Sequence, residues 1–306
     1  MKLSVIVPCY NEEKTVPLFI KAMSEVELKL PLEFEYIFIN DGSKDQTLNI
    51  LREAHEKNAR IHYLSFSRNF GKESALYAGL QRATGDYVTV MDADLQDPPQ
   101  LLIEMYRKIQ DSEIDCVGTR RVNRKGEPPI RSAFAKLFYK IINKIGQVEM
   151  VDGARDFRLM TRQMVDAILE LTEYNRFTKG LFVWVGFNTV YIEYENVERI
   201  AGETSWNFWG LLSYSIDGII NFSDVPLKIA TLLGGVSCLV AIISLFFIVI
   251  RTLICGDPVA GWPSMISIML LLGGIQLSCL GIIGKYIGKI FLETKKRPVY
   301  VIKEEA

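Results

Sequence analysis

Two histidines, His55 and His62, are all that 306 residues contain, and both fall in a surface-like stretch, so histidine catalysis is not expected. The five cysteines (Cys9, Cys116, Cys238, Cys255, Cys279) form no CxxC or CxxH pair, which argues against a zinc site and against a disulfide framework. No GxGxxG follows the first apolar run, which disfavours a dinucleotide site, and the absence of GxxxxGK[ST] excludes a P-loop. Neither sign of charge is in excess: 35 Lys and Arg face 36 Asp and Glu, for a net charge of −1. With no polyanion-binding bias, nucleic acid is not the expected partner. Internal repeats and low-complexity tracts are also missing. The opening strand, Met1–Pro8, is too short for a signal peptide, so the first domain is expected to stay in the cytoplasm.

What is present is an alternation of apolar runs and amphipathic stretches. Strands are expected at Leu3–Val7, Phe34–Ile39, Ile61–Phe66, from Tyr87 and at Asp115–Gly118. Helices are expected at Glu12–Lys29, at Asp45–Lys57 with Asp45 as N-cap, and at Gly71–Ala83. Such alternation argues for an α/β fold with a mostly parallel sheet and flanking helices. Three of the strands end in unusual polar clusters: Pro8-Cys9-Tyr10-Asn11-Glu12, Asn40-Asp41-Gly42-Ser43 and Asp92-Ala93-Asp94-Leu95-Gln96. Ligands of open α/β sheets sit outside the carboxyl ends of the strands, so the clusters define one crevice. Asp92 and Asp94 can offer oxygen ligands to a hard divalent cation shared with substrate phosphates. The plainer reading is that they start a turn or cap a helix opening at Pro98 or Pro99.

The second half is apolar. Ala230–Ile250 and Ser264–Gly284 each run 21 residues without a charge, long enough to span a bilayer as helix. Lys285, Lys289, Lys295, Lys296 and Arg297 follow the second run, which by the positive-inside rule places the C-terminus and the N-terminal domain in the cytoplasm; Arg251 is the contrary charge. Two stretches suit helices lying in a membrane interface: the aromatic-rich Trp206–Phe222 and the lysine-flanked Phe/Ile stripe of Arg131–Gly146, which equally suits a core helix. The expected organisation is a catalytic domain over 1–205, an interfacial helix over 206–226, and two spans (about 230–250 and 264–284) with a basic tail over 227–306.

Together, Pro8–Glu12, Asn40–Asp45 and Asp92–Pro98 resemble the nucleotide-sugar motifs of glycosyltransferase family 2, with its GT-A fold. Gly153–Met160, Arg199–Ser205 and the two C-terminal spans narrow the resemblance to the polyprenyl-phosphate glycosyltransferases, a group related to dolichyl-phosphate mannose synthase. The resemblance covers essentially the whole chain. It implies an inverting transfer of one sugar from a nucleoside diphosphate, a UDP-sugar by the Gly153–Met160 segment, to undecaprenyl phosphate. Pro8, Tyr10, Asn11, Glu12, Asp41, Asp92 and Ala93 would bind the nucleotide; Asp92 and Asp94 would serve the diphosphate and a Mg²⁺ or Mn²⁺, with Gln96 adjacent. Asp156 would face the reaction centre, and Arg120, Arg131, Arg199, Thr204 and Ser205 would receive the acceptor phosphate. Relatives commonly carry a lysine just after the glycine of the Arg-x-x-Gly segment, where Thr204-Ser205-Trp206 stand here.

Two other readings compete with this one. A processive polysaccharide synthase shares the early motifs but would bring a Gln-x-x-Arg-Trp segment and more spans. A non-catalytic partner of a lipid flippase would have no need of the Asp92/Asp94 pair.

Overall fold

The computed structural model describes residues 1–122, 138–146, 148–195, 208–255 and 261–306. Its framework is an eight-stranded mixed sheet. The centre is four parallel strands in the order β4 (Tyr87–Val90), β1 (Lys2–Cys9), β2 (Glu33–Asn40), β3 (Ile61–Phe66). The helices that connect them are α1 (Thr15–Glu27), α2 (Thr47–Lys57) and α3 (Lys72–Arg82). Beyond β4 lies the antiparallel β6 (Ala154–Thr161), then β5 (Cys116–Arg121) and β7 (Thr189–Tyr194). Both faces of the sheet are buried because side chains alternate along each strand. Val5, Val7, Phe34 and Phe38 pack with Phe19 and Met23 of α1, Leu51 of α2 and Met105 of α4 (Leu101–Lys108). On the opposite face Ile6, Ile37 and Ile39 pack with Leu76 of α3, with Met164 and Ile168 of α6 (Arg162–Glu170), and with Phe182 of α7 (Thr178–Trp184). Gly79 permits the close seating of α3, since a Cβ there would lie 2.3 Å from Ile6 Cγ2.

The helices start later than the periodicity suggests. The Glu12 carbonyl accepts from the Thr15 and Val16 amides in a turn that precedes α1. Asp45 is not the N-cap of α2, a position held by Gln46; its carboxylate closes a local turn on the Thr47 amide (3.0 Å) and also takes the Glu13 amide (3.1 Å). Likewise α4 opens after the prolines, at Leu101.

Of the 131–146 segment, the described part is helical over 138–145 (α5). Ile142 is fully buried with Phe177, Leu181 and Phe222, whereas Lys140 and Lys144 are exposed. The next helix, α8 (Phe208–Phe222), leads into two long helices, α9 (Val225–Cys255) and α10 (Trp262–Thr294). Within them Val225–Ile248 and Ile268–Thr294 are long and apolar enough to cross a membrane, with mean hydropathy 2.4 and 1.8. Leu232, Leu239, Phe246, Phe247, Leu270 and Leu277 all stand exposed. A surface of that extent asks for an apolar solvent. Both helices outrun the expected spans: 33 residues of α10 measure about 50 Å, against a hydrocarbon core of about 30 Å. The surplus at the end of α10 meets the end of α8 and the Tyr174–Asn175 loop. Tyr286 donates to the Ser223 carbonyl (2.6 Å), Lys289 pairs with Asp217 (2.8 Å), and the Glu293 carboxylate accepts from the Tyr174 and Asn175 amides.

Past α10 the chain returns to the sheet. β8 (Ile302–Glu305) pairs antiparallel with β3 and covers its edge. Glu304 pairs with Arg52 and accepts from the Tyr63 hydroxyl (2.7 Å), while the Tyr300 ring stacks on Phe66 with centroids 4.9 Å apart.

Candidate active site

The first two polar clusters are tied into one rim. Asn11 adopts a left-handed backbone (φ +57°), which its short polar side chain tolerates better than most. Its amide donates to Ser43 Oγ (2.9 Å) and its Oδ1 accepts from the Lys44 amide (2.9 Å). The Glu12 amide donates to Thr47 Oγ1 (2.8 Å). Tyr10 projects beside them, 39% exposed. Asp41 is buried and accepts from the Phe70 (2.6 Å) and Gly71 (2.9 Å) amides. Burial pushes its pKa up, and those two amides with Arg68 offset only part of the rise. Gly42 must be glycine here: φ is +65°, and a Cβ would sit 2.4 Å from the Arg68 carbonyl carbon.

At the end of β4 two carboxylates meet one lysine. Val90 lies opposite Arg158 in the antiparallel β4–β6 register, so the same register carried two residues on brings Asp92 toward Asp156. Lys72, the first residue of α3, reaches in between: its Nζ lies 2.7 Å from Asp92 Oδ1 and 2.7 Å from Asp156 Oδ2. Lys179 stands 3.9 Å from the other Asp156 oxygen. Burial disfavours the Asp156 charge, but Lys72, then Lys179 and Arg155, outweigh it and hold the carboxyl ionised far below the usual range. Burial likewise opposes the Lys72 ammonium, and Asp156 and Asp92 keep it protonated.

Asp94 is buried, and its Oδ1 accepts from the Gln96 amide (3.1 Å) across Leu95, itself left-handed (φ +56°). The loop is anchored by buried Asp97, which pairs with Arg155 (3.2 Å) and accepts from the Tyr194 hydroxyl. Burial and the neighbouring Asp97 charge push the Tyr194 phenol up to about 12. One strand therefore supplies both Arg155, which steadies the Asp92–Asp97 loop, and Asp156, which faces Asp92.

Residues 4–169 match glycosyl transferase family 2. The chain belongs to that family. This family-2 enzyme is 44% identical over 302 residues to the putative glycosyltransferase CsbB of Bacillus subtilis, covering 99% of this chain and 91% of that one. It is 42% identical over 303 residues to the bactoprenol glucosyl transferase of Shigella phage SfX, covering 99% of each. Among solved structures it is similar to the mannosyltransferase PcManGT from Pyrobaculum calidifontis, in complex with GDP-Man and Mn²⁺, at 16% identity and a TM-score of 0.49 over 94% of this chain and 87% of that one.

Within the family-2 transferase, the structure brings Asp92, Asp156 and the Asp94–Gln96 turn to one end of the sheet, and ties the Tyr10–Glu12 segment to Ser43–Thr47. Pro8 and Ala93 lie at the same strand ends. Arg120 goes elsewhere: it pairs with Glu193 (3.2 Å) and donates to the Asp152 carbonyl (3.0 Å), the surface ion pair that is the plainer fate of an arginine. Arg131, Arg199, Thr204 and Ser205 lie outside the described residues.

Two contributors, Lys72 and Lys179, lie outside the motifs, and two more, Arg155 and Asp97, lie inside them with no role assigned from sequence. Lys72 did leave a signal, because a lysine opening a helix opposes the macrodipole and asks for a local anionic partner. No group of three acidic, His or Cys side chains converges on a metal-sized point among the described residues. The Asp92/Asp94 pair is nevertheless a hard-oxygen donor set, and a small divalent cation commonly takes just one or two carboxylates and completes its shell with substrate phosphates and water. The residues present fit such an ion arriving with a diphosphate.

Proposed function

We propose that this transferase moves a single sugar, with inversion, from a UDP-sugar to undecaprenyl phosphate at the cytoplasmic membrane surface. The observation that carries the reading is an acidic, lysine-bridged crevice built into the same body as two exposed apolar helices, joined through Tyr286, Lys289 and Glu293. A lipid acceptor explains that union. Each CH₂ drawn into water costs about 0.8 kcal/mol, so a long polyprenyl chain stays in the bilayer and the enzyme must come to it. The relatives named bactoprenol glucosyl transferase support the acceptor class, and Lys285, Lys289, Lys295, Lys296 and Arg297 support the cytoplasmic side.

Pro8, Tyr10, Asn11, Glu12, Asp41 and Ala93 hold the nucleoside, and Asp92 and Asp94 receive the diphosphate together with Mg²⁺ or Mn²⁺. When bound, that ion supplies Lewis-acid neutralisation of the charge that grows on the departing diphosphate. The acceptor phosphate is an anion near neutral pH, so no strong general base is required and positioning dominates. Asp156, held ionised by Lys72 and Lys179, is a poor proton acceptor. Its negative charge instead faces the positive charge that develops at the anomeric carbon as the acceptor oxygen bonds to it and the diphosphate oxygen leaves. Arg131 and Arg199, with Thr204 and Ser205, grip the acceptor phosphate, guanidinium being suited to bidentate contact. Arg120 joins them only by exchanging Glu193 for phosphate.

The test is a transfer assay with the purified full chain in detergent, undecaprenyl phosphate, Mn²⁺ or Mg²⁺ and radiolabelled UDP- and GDP-sugars. One sugar should enter the organic phase and the signal should vanish with EDTA. Nucleotide binding without transfer of any sugar would refute the acceptor.

A further inference from the structure

We propose that this protein carries a second phosphate-binding site, distinct from the donor crevice, at the junction of the catalytic domain with the end of α10. The site is a cavity of about 370 Å³, a size within the usual range for ligand pockets. Its walls are the 68–74 segment leading into α3, the Tyr174-Asn175-Arg176 loop and Val299. None of Asp41, Asp92, Asp94 or Asp156 lines it.

Two hydrogen-bond donors in that wall are buried and find no acceptor among the described residues: Arg176 Nε and Asn175 Nδ2. Arg176 is only 6% exposed. Its guanidinium lies over the Tyr77 ring (4.2 Å), with Nη1 and Nη2 on the Leu171 and Ile168 carbonyls. Asn175 spends Oδ1 on Lys289 (3.2 Å), which fixes its amide group and leaves Nδ2 as the donor without a partner. Arg68, exposed, lies over Phe70 (4.0 Å) and donates to the Asn69 carbonyl (2.9 Å). Neither arginine has a carboxylate within ion-pair distance among the described residues. The one acidic side chain in the wall, Glu73, has an oxygen taken up by the Thr178 amide (2.8 Å) and hydroxyl.

Leaving buried donors unmade is costly, about 1–3 kcal/mol each. Two such donors, one of them on Arg176 itself, beside the exposed Arg68 guanidinium and the N-terminal turn of an eleven-residue helix describe a receptor for an oxyanion. The ligand class is a phosphate group, brought either by a phospholipid headgroup or by a soluble phosphate compound. Because Asn175 is held by Lys289 and its loop by Glu293, an occupant would tie the catalytic domain to the end of α10.

The experiment titrates inorganic phosphate into the detergent-solubilised full chain in EDTA, read by calorimetry and by ³¹P line broadening. Wild type should bind saturably. Asn175→Asp keeps the oxygen for Lys289 but sets a negative charge against the ligand, and Arg68→Gln removes a charge at an exposed position. Each should weaken phosphate binding by about tenfold or more, the scale of one charge-assisted contact. Asn175→Asp should leave UDP binding in Mn²⁺ unchanged, which separates this cavity from the donor crevice. Absence of saturable phosphate binding, or undiminished binding in Asn175→Asp, overturns the proposal. Displacement of phosphate by dihexanoyl phosphatidylglycerol assigns the site to a lipid headgroup, and failure to displace it assigns a soluble phosphate; either result supports the site. No step of this measurement depends on sugar transfer.

Discussion

Replacing Lys72 with methionine tests the centre of the candidate site. The side chain keeps its length and loses its charge, so Asp92 and Asp156 face each other without the ammonium that both now contact at 2.7 Å. Two carboxylates about 5 Å apart repel by roughly 3 kcal/mol at the effective dielectric of a half-buried site. The side chains are 25% and 18% exposed, so solvent relieves part of this, and about 2–3 kcal/mol remains to be released by movement or protonation. If that energy displaces Asp156 from the reaction centre, turnover falls by about 30- to 200-fold. The assay is initial-rate transfer of labelled sugar to polyprenyl phosphate at saturating donor, with the detergent elution profile as a check that the fold survives. Lys72→Arg should recover most of the loss, since it restores the charge. Turnover of Lys72→Met within threefold of wild type would refute the claim that this lysine organises the two carboxylates.

Other outcomes follow from the same contacts. Asp94→Asn should abolish metal-dependent nucleotide-sugar binding, measured by calorimetry with and without EDTA, while the protein remains membrane-inserted. Asp97→Ala leaves the Arg155 guanidinium without its carboxylate and frees the Asp92–Asp97 loop, so kcat should fall at least tenfold, with a stability loss of about 3 kcal/mol, the low end for breaking a buried pair. Glu35 is buried, yet Lys2, Ser4 and Thr84 lower its pKa to about 2. A depressed carboxyl contributes stability that is complete above its unfolded pKa and is lost as pH falls toward the folded value. Denaturation between pH 5 and 2 should therefore reveal a loss on the order of 3 kcal/mol that Glu35→Gln lacks.

The parallel half of the sheet was legible because its strands are mostly buried and read as largely apolar runs, three of them closing on polar clusters. The antiparallel half was harder. β6 carries Arg155, Asp156 and Arg158 within one strand, and a charged strand resembles a loop until its partners are known: Asp97 for Arg155, Lys72 for Asp156 and the Phe182 ring for Arg158. Lys72 and Asp92 are 20 residues apart, and they meet because the first residue of α3 reaches the end of β4, where the β4–β6 register also brings Asp156. The helices run past the expected spans because hydropathy marks where charge begins rather than where a helix stops. Lys285 and Lys289 interrupt the apolar run, yet α10 continues through them to reach Asp217 and Asn175. Nothing local announces β8. Its residues Ile302, Lys303, Glu304 and Glu305 find their meaning only against Arg52, Tyr63 and Arg82.

The strand that covers β3 has a consequence for biogenesis. Leu64 and Glu305 are neighbours in space, but the ribosome makes the second only after α9 and α10 have both emerged. Topologically the apolar hairpin is an insertion within the α/β fold rather than an appendage to it. The sheet therefore stays one strand short, with the β3 edge open to pairing, until the hairpin has been synthesised and the chain has doubled back. Emergence of the apolar hairpin and completion of the sheet become successive stages of a single event, and a nascent chain that stalls before β8 presents an unfinished edge for quality control to detect.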